Sequence, residues 1–291
     1  MKRKYHVDHA LFCNNITPHS AYVLGLLWAD GYVCSNKGSQ QYGNIRFIST
    51  YPDAIHFSEM LKQTGTWGEY RHTDELHNGW KPRFTGYVRN RELADFLLKN
   101  DYGSKTTCSA DKILKVVPEN LHRFFFLGVV DGDGCFSMTP TKKGYYNRRF
   151  SIASSFDQDW TYFETMLKSI GVSYTIERYE GLSSSFSKVH VTPVDDIERL
   201  GTFLYQTQEV DRVGLDRKYS TFQEICDTGR RKTSKYKRVL KKGSKWKAYS
   251  SQANGQRCRW LGTFDTEEQA AKAAGTSLRH PDSSESRPAT Q

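Results

Sequence analysis

Much is missing from these 291 residues, and each absence excludes something. The apolar runs are short, Phe124 to Val130 being seven residues and Ala21 to Ala29 nine, where a membrane-spanning helix needs about 20. The opening Met1–His6 leads into no apolar stretch of the kind a secretory signal requires, so export is not expected. Six cysteines, at 13, 34, 108, 135, 226 and 258, lie far apart with no C-x-x-C pair and no zinc-ligand rhythm. They read as thiols of a reducing cytoplasm. The nine histidines show no His-Asn-His finger spacing. No phosphate-cradling glycine loop, dinucleotide fingerprint or nucleophile elbow occurs, leaving nucleotide cofactors and acyl transfer unsupported. What remains is 37% hydrophobic and 25% charged, enough for one large domain or two modest ones.

The formal charge of +10 is unevenly placed. Residues 1–228 hold 27 basic and 27 acidic residues, whereas 229–280 hold 14 basic and 3 acidic. So dense an excess in so short a segment points to a polyanion partner, with nucleic acid foremost. Inside the neutral part, the predicted strand regions 31–50, 67–91, 135–152 and 172–192 carry 13 basic and 5 acidic residues. A sheet face can therefore be positive although the whole is neutral. Arg46, Arg71, Arg83, Arg148, Arg149, Arg178 and Lys188 are the expected groove cations.

The neutral part repeats itself. His19-Ser-Ala-Tyr-Val-Leu-Gly-Leu-Leu-Trp-Ala-Asp-Gly31 is echoed by His122-Arg-Phe-Phe-Phe-Leu-Gly-Val-Val-Asp-Gly-Asp-Gly134, an offset of 103 residues. Met60–Gly65 is echoed by Met166–Gly171, and Phe96-Leu97 by Phe203-Leu204. Two similar halves in one chain imply a pseudo-twofold molecule. Apolar spacing of helical type, strand alternation and helix-ending glycines predict helices near 19–29, 53–64 and 91–99 in the first half. Strands are expected near 32–36, 44–50, 67–73 and 82–89. The second half predicts helices near 120–131, 157–170 and 194–206, with strands near 135–139, 147–154, 173–179 and 186–192.

Gly25 and Ala29, like Gly128 and Gly132, stand four apart on one helix face. Small residues at that spacing let two helix backbones approach closely. Packing the two helices together would set Asp30 beside Asp133 at their ends. Each carboxylate there opposes its helix dipole, and the two repel one another. A shared divalent cation is the natural compensation, and it suits phosphodiester hydrolysis. One Asp-Gly alone would be an ordinary helix-ending turn; two in matched settings are not.

These paired segments resemble the motifs of LAGLIDADG homing endonucleases in their single-chain, two-repeat form, over residues 15–225. The resemblance implies an α+β fold of two αββαββα repeats, about 15–110 and 118–226, forming a saddle on DNA. It implies double-strand cleavage across the minor groove with Mg2+, for which Mn2+ substitutes. Asp30 and Asp133 fall on the family's acidic position, with Gly31 and Gly134 beside them at the metal, and Lys105 and Lys218 are the basic residues expected near it as catalytic groups that stabilise charge at the phosphates. Trp28 and Asp131 differ between the repeats, and Asp131 reads as structural. The ends of the second strands hold Tyr51-Pro52 and Ser155-Phe156, to which no role is assigned.

Residues 229–235 have linker composition, and 279–291 read as a disordered tail. Between them, alternating runs flank Asn254-Gly255, a hairpin signal, and Thr266 with its neighbouring acids suits a helix start. Three strands backed by one helix are expected over 236–278. Trp246 is open between core and contact roles. The stretches Tyr236-Lys-Arg-Val239, Lys245-Trp-Lys-Ala248 and Trp260–Ala271 resemble the Apetala2/ERF DNA-binding domain. That resemblance places Lys237, Lys242, Tyr249 and Trp260 toward DNA; Arg257 and Arg259 join them on charge and hairpin position.

The expected activity is that of a monomeric, cytoplasmic, site-specific endonuclease acting on double-stranded DNA with a long asymmetric target. The alternative is a non-cleaving DNA or RNA binder of the same fold, a maturase or a regulator.

Overall fold

The computed structural model describes residues 5–72, 82–141, 146–181, 184–206, 213–229, 236, 238–242, 244–250 and 260–275. The chain divides into two compact units, Met1–Cys226 and Asp227–Gln291. The first unit contains helix α1 (Pro18–Asp30), strands β1 (Gly31–Val33) and β2 (Asn44–Thr50), helix α2 (Ala54–Lys62), strands β3 (Gly68–His72) and β4 (Arg83–Arg89), and helix α3 (Arg91–Lys99). The succession then recurs. Helix α4 (His122–Asp133) leads to β5 (Gly134–Pro140), β6 (Tyr146–Ser155), α5 (Thr161–Ser169), β7 (Thr175–Glu180), β8 (Ser185–Val191) and α6 (Val194–Leu204). Helix α7 (Asp216–Gly229) follows. The fold class is α+β, and both four-stranded sheets are antiparallel with matching order, β1-β2-β4-β3 and β5-β6-β8-β7.

Helix α1 starts firmly. Thr17 Oγ1 accepts the Ser20 N–H at 3.2 Å, Ser20 Oγ accepts the Thr17 N–H at 2.8 Å, and Pro18 fixes the first helical φ. Ser20 through Trp28 are all buried, as are Phe124 through Asp131 on α4. Helices apolar on every side belong at the centre of a fold, and here they pack on each other. The glycines make the approach possible. A β-carbon on Gly25 would stand 2.0 Å from the Phe125 carbonyl oxygen, and one on Gly128 2.1 Å from that of Tyr22. Tyr22 and Phe125 are themselves repeat-matched, so the two contacts reciprocate.

One continuous core surrounds this pair. Ile45, Phe47, Phe84 and Val88 supply the inner face of the first sheet, and Phe136, Phe150, Ile152, Val189 and Val191 that of the second. Strand alternation then turns Arg46, Ile48, Arg83 and Tyr87 outward on one sheet, and Arg149 and Lys188 on the other. Helix α5 begins at Thr161 rather than 157, because Asp159 Oδ1 accepts the Thr161 N–H at 2.9 Å and ends the preceding turn. A short strand pair, His6–Val7 with Gly65–Thr66, and helix α7 add to the elements expected from sequence.

In the second unit, strands β9 (Val239–Lys242), β10 (Lys245–Tyr249) and β11 (Trp260–Phe264) form one antiparallel sheet in that order. Helix α8 (Glu267–Ala274) is closed at its start by a Thr266–Gln269 capping box and at its end by Gly275 with φ of 59°. Val239, Ala248, Ala270, Ala271 and Ala274 form its small core, against which Tyr236, Trp246 and Phe264 pack. Trp246 thus belongs to the core side, whereas Trp260 is 57% exposed.

The helix contact predicts a stability pattern. Gly25→Ala and Gly128→Ala should each cost about 2–3 kcal/mol, because a backbone oxygen occupies the new methyl's place. Gly38→Ala, whose nearest neighbour would be Asn36 Oδ1 at 3.4 Å, should stay within about 0.5 kcal/mol of the parent. Urea midpoints decide the matter, and equal losses for all three would refute the close approach.

Candidate functional site

Asp30 and Asp133 are the last residues of α1 and α4. The small residues of the packed face bring these ends together. A β-carbon on Gly132 would lie 2.4 Å from that of Ala29 and 3.5 Å from Asp30 Oδ2. Among the described residues neither carboxylate accepts a hydrogen bond from the protein. Surrounding protein strips water from both, which raises the pKa of Asp30 above the usual carboxylate value. Asp133 is pushed up to about 7, first by desolvation and second by the charge of Asp30. Lys105 and Lys218 pull both downward without cancelling the rise.

The two lysines stand where the helices end. Lys105 Nζ donates to the carbonyls of Leu27 (3.2 Å) and Ala29. Lys218 Nζ, 5% exposed, donates to those of Val130, Asp131 and Gly134, each at 2.7 Å. All three N–H donors of the Lys218 ammonium are thereby used. The lysines satisfy terminal carbonyls and offset the negative helix ends on which the aspartates sit. Desolvation lowers both, Lys105 to about 8, while Asp133 and Asp30 oppose the shift at Lys105 and Asp131 opposes it at Lys218. This geometry departs from the expected phosphate contact: the ammonium groups hold backbone. Since the Gly134 carbonyl already faces an ammonium, the two aspartates are the better cation ligands.

Each helix end opens onto a recess built from both repeats. Beside Asp30 lies a cleft of about 540 Å³ whose wall includes Thr50, Asp53, Asp131, Gly132 and Arg217. Beside Asp133 the space is about 30 Å³, walled by Trp28, Lys105, Thr106, Gln158 and Tyr162 among others. Arg217 reaches across from the second repeat to Asp53 of the first, with Nε to Oδ1 at 2.7 Å and the second N–H to Oδ2 at 2.6 Å. In the other direction Ser155 Oγ donates to the Thr106 carbonyl, and Gln158 Nε2 to that of Cys108 at 2.8 Å. Asp53, Gln158 and Arg217 carried no assigned role in the sequence reading.

Asp131 is buried and structural in its contacts. Its Oδ2 accepts the Tyr22 hydroxyl at 2.8 Å and the Leu215 N–H at 2.9 Å, and its Oδ1 has no hydrogen-bond partner. Burial lifts it to about 6, against the pull of Lys218 and these two hydrogen bonds. Trp28, at the matching place on α1, instead packs edge-on against Tyr102 and Tyr162.

The outward face of the first sheet forms a groove of about 1030 Å³ lined by Arg46, Ile48, Tyr70, Arg83, Tyr87 and Arg89 among others. Tyr70 and Tyr87 stack there with centroids 4.7 Å apart. The register separates the expected arginines. Arg71 pairs with Phe84 and so takes the side opposite Arg83, 3.8 Å from Glu69. Arg148 shares the parity of Phe150, and Arg178 donates to the carbonyls of Phe156 and Gln158 at 3.1 and 3.2 Å. Arg149 and Lys188 face outward, the latter opposite Glu177. In the second unit Lys242 stands opposite Lys245, and Tyr249 opposite the exposed Trp260. Lys237, Arg257 and Arg259 lie outside the described residues.

Among the described residues no group of three or more His, Cys, Asp or Glu side chains is placed to hold a metal. The donor set is two desolvated, mutually repelling carboxylates, which suits a hard divalent cation completed by water and substrate oxygens. No helix among the described residues is long and apolar enough to cross a membrane.

Among solved structures, the chain is similar to the I-LtrWI LAGLIDADG homing endonuclease bound to target DNA, with 16% identity and a TM-score of 0.46 over 72% of this chain and 90% of that one. It is similar to the I-SmaMI LAGLIDADG homing endonuclease bound to cleaved DNA, with 16% identity and a TM-score of 0.44 over 74% and 89%. It is also similar to I-GzeII in complex with its DNA target, with 14% identity and a TM-score of 0.44 over 73% and 89%. I-SmaMI has also been seen on uncleaved target DNA in the presence of calcium ions. No protein-family model and no curated protein sequence matches the chain.

The raised pKa of Asp133 has a stability consequence. Its folded value of about 7 lies above the unfolded value, so protonation favours the fold, and that stability is lost as pH rises through 7. Without divalent cations, Asp133→Asn should therefore melt higher than the parent at about pH 9, with the difference shrinking as pH falls toward about 4. Thermal unfolding across that range tests it. A variant that melts lower than the parent at high pH would contradict the strained carboxylate pair.

Proposed function

We propose that the protein is a site-specific double-strand DNA endonuclease of the LAGLIDADG type, dependent on Mg2+ with Mn2+ able to replace it. The observation that carries this reading is the pair of desolvated carboxylates, Asp30 and Asp133, on the touching ends of two close-packed helices. Such a pair is unfavourable in isolation and becomes favourable once a cation and phosphate oxygens share the site.

Asp30 and Asp133 would hold the divalent ion. When bound, it supplies positive charge at the phosphate and a more acidic water. The protein's own residues do the rest. Lys105 and Lys218 fix the helix ends and so act as positioning residues. Arg46, Arg83, Arg89, Arg149 and Lys188, on the outward sheet faces, contact the duplex through phosphates and guanine edges. Arg71, Arg148 and Arg178 lie on the opposite faces and are assigned no base contact. Each cut adds one water across a P–O ester bond and yields a phosphate monoester and a hydroxyl.

The second unit adds recognition of the Apetala2/ERF kind through Lys237, Lys242, Tyr249, Arg257, Arg259 and Trp260, on a long asymmetric target bound by a monomer. Support comes from the exposed Trp260 and from charge: residues 230–291 carry the chain's entire formal excess of +10.

Incubation with a plasmid library of random sites and Mg2+, followed by sequencing of the ends, should recover one preferred long site. Asp30→Asn and Asp133→Asn should each abolish cleavage of it while leaving affinity within about threefold, since neither carboxylate contacts the grooves. A chain ending at Gly229 should still cut at high concentration, but bind more weakly and with a flatter salt dependence. The logarithmic slope should fall by about 0.9 for each phosphate that the second unit no longer neutralises. Full cleavage by either asparagine variant would remove the aspartates from the chemistry.

A further inference from the structure

The recesses at Asp30 and Asp133 have different chemistry at matching places. Gly31 pairs with Phe47 and Gly134 with Ile152, so Phe47 and Ile152 are structural counterparts. Counting onward along each chain segment, Asp53 corresponds to Gln158. Lys105 and Lys218 cap corresponding helices, so the residues before them, Ser104 and Arg217, correspond as well. The Asp30 side therefore holds an Asp–Arg ion pair where the Asp133 side holds Gln158, and Ser104, the counterpart of Arg217, is exposed and takes no part in walling that recess.

The two sides differ in what they offer a ligand. The Gln158 amide is occupied by protein: its Oε1 accepts Ser154 Oγ at 2.8 Å, and its Nε2 donates to the carbonyls of Cys108 and Asp159 at 2.8 and 3.0 Å. Arg217 gives two of its five N–H donors to Asp53. Its side chain stays 55% exposed while that of Asp53 is 5% exposed, so a buried carboxylate fixes a guanidinium whose other edge borders the cleft. That cleft, at about 540 Å³, admits a phosphodiester group. The opposite recess, at about 30 Å³, has room for about one water until its walls move.

We propose that Arg217, oriented by Asp53, is a phosphate-contacting catalytic residue for one of the two strands only, so that the strands are cut at unequal rates through a nicked duplex. This rests on the endonuclease reading above. A guanidinium already aligned for bidentate oxygen contact stabilises charge developing on one phosphate, while the other strand meets the protein-held amide of Gln158, a Lys105 ammonium bonded to the Leu27 and Ala29 carbonyls, and a smaller recess. The strand entering the Arg217 cleft is cut first.

The test uses the full-length protein, a supercoiled plasmid bearing the recovered site, and separate end labels on the two strands. The parent should accumulate open-circular DNA nicked predominantly in one strand. Removing Arg217 alone would strand a buried carboxylate, so the informative variant is Asp53→Asn with Arg217→Gln. It should slow the faster strand by about tenfold or more and the other by less than about threefold, reversing the order of cutting. Arg217→Lys, which keeps the charge and loses the fork, should slow the same strand to a smaller degree, and it decides the case if the double variant fails to fold. No cleavage by the parent at any recovered site would defeat the endonuclease reading itself. Cleavage with equal strand rates, or equal slowing of both strands by these variants, would leave that reading intact and overturn the assignment of Arg217.

Discussion

Everything in the first unit depends on how closely helices α1 and α4 approach. At Gly25 and Gly128 the backbone of one helix occupies the volume a side chain on the other would need. The same approach, carried one turn further by Ala29 and Gly132, brings Asp30 and Asp133 to a common point. Packing and chemistry are thus one constraint: the contact that closes the core is the contact that pairs the acids. Because both helices are buried on nearly every side, neither can slide to relieve the repulsion without opening core on both sides.

The electrostatic cost of that arrangement is met in layers. Lys105 and Lys218 come from segments that follow α3 and α6, reach back to the helix ends, and satisfy carbonyls that would otherwise add to the negative field. The neighbouring residues in the same segments cross to the opposite repeat, where Arg217 pairs with Asp53 and Thr106 accepts from Ser155. One short stretch of chain therefore both caps its own helix and ties the repeats together. The charges of the lysines offset part of what desolvation costs the aspartates, which leaves a site whose remaining imbalance is one a divalent cation would correct.

The repeat, the strands and the acidic pair were legible because each rests on a local period: four-residue spacing of small side chains, two-residue alternation, Asp-Gly after an apolar helix. The facing of the arginines was also there to be read. Arg148 and Arg149 are adjacent, so only one can face outward from the second sheet, and Phe150 settles which. The roles of Asp53, Gln158 and Arg217 were not. They lie in turns and segment ends, and the correspondence of Asp53 with Gln158 follows from strand register, which differs by two residues between the repeats and so departs from the 103-residue sequence offset. The lysines were identified by position, but a long flexible side chain does not announce whether it holds backbone or substrate. Helix α7 has buried Phe222, Ile225 and Cys226 at helical spacing, yet it occupies the stretch leading up to the boundary that composition marked at 229.

Asp30 and Asp133, if they share a cation, must behave as one site. Titrating Mn2+ into the DNA-bound protein, with free ion followed by electron paramagnetic resonance, measures this directly. Asp30→Asn and Asp133→Asn should each abolish tight uptake, and combining them should lose no more than either alone. Two independent losses that add, or uptake undiminished by either change, would contradict it.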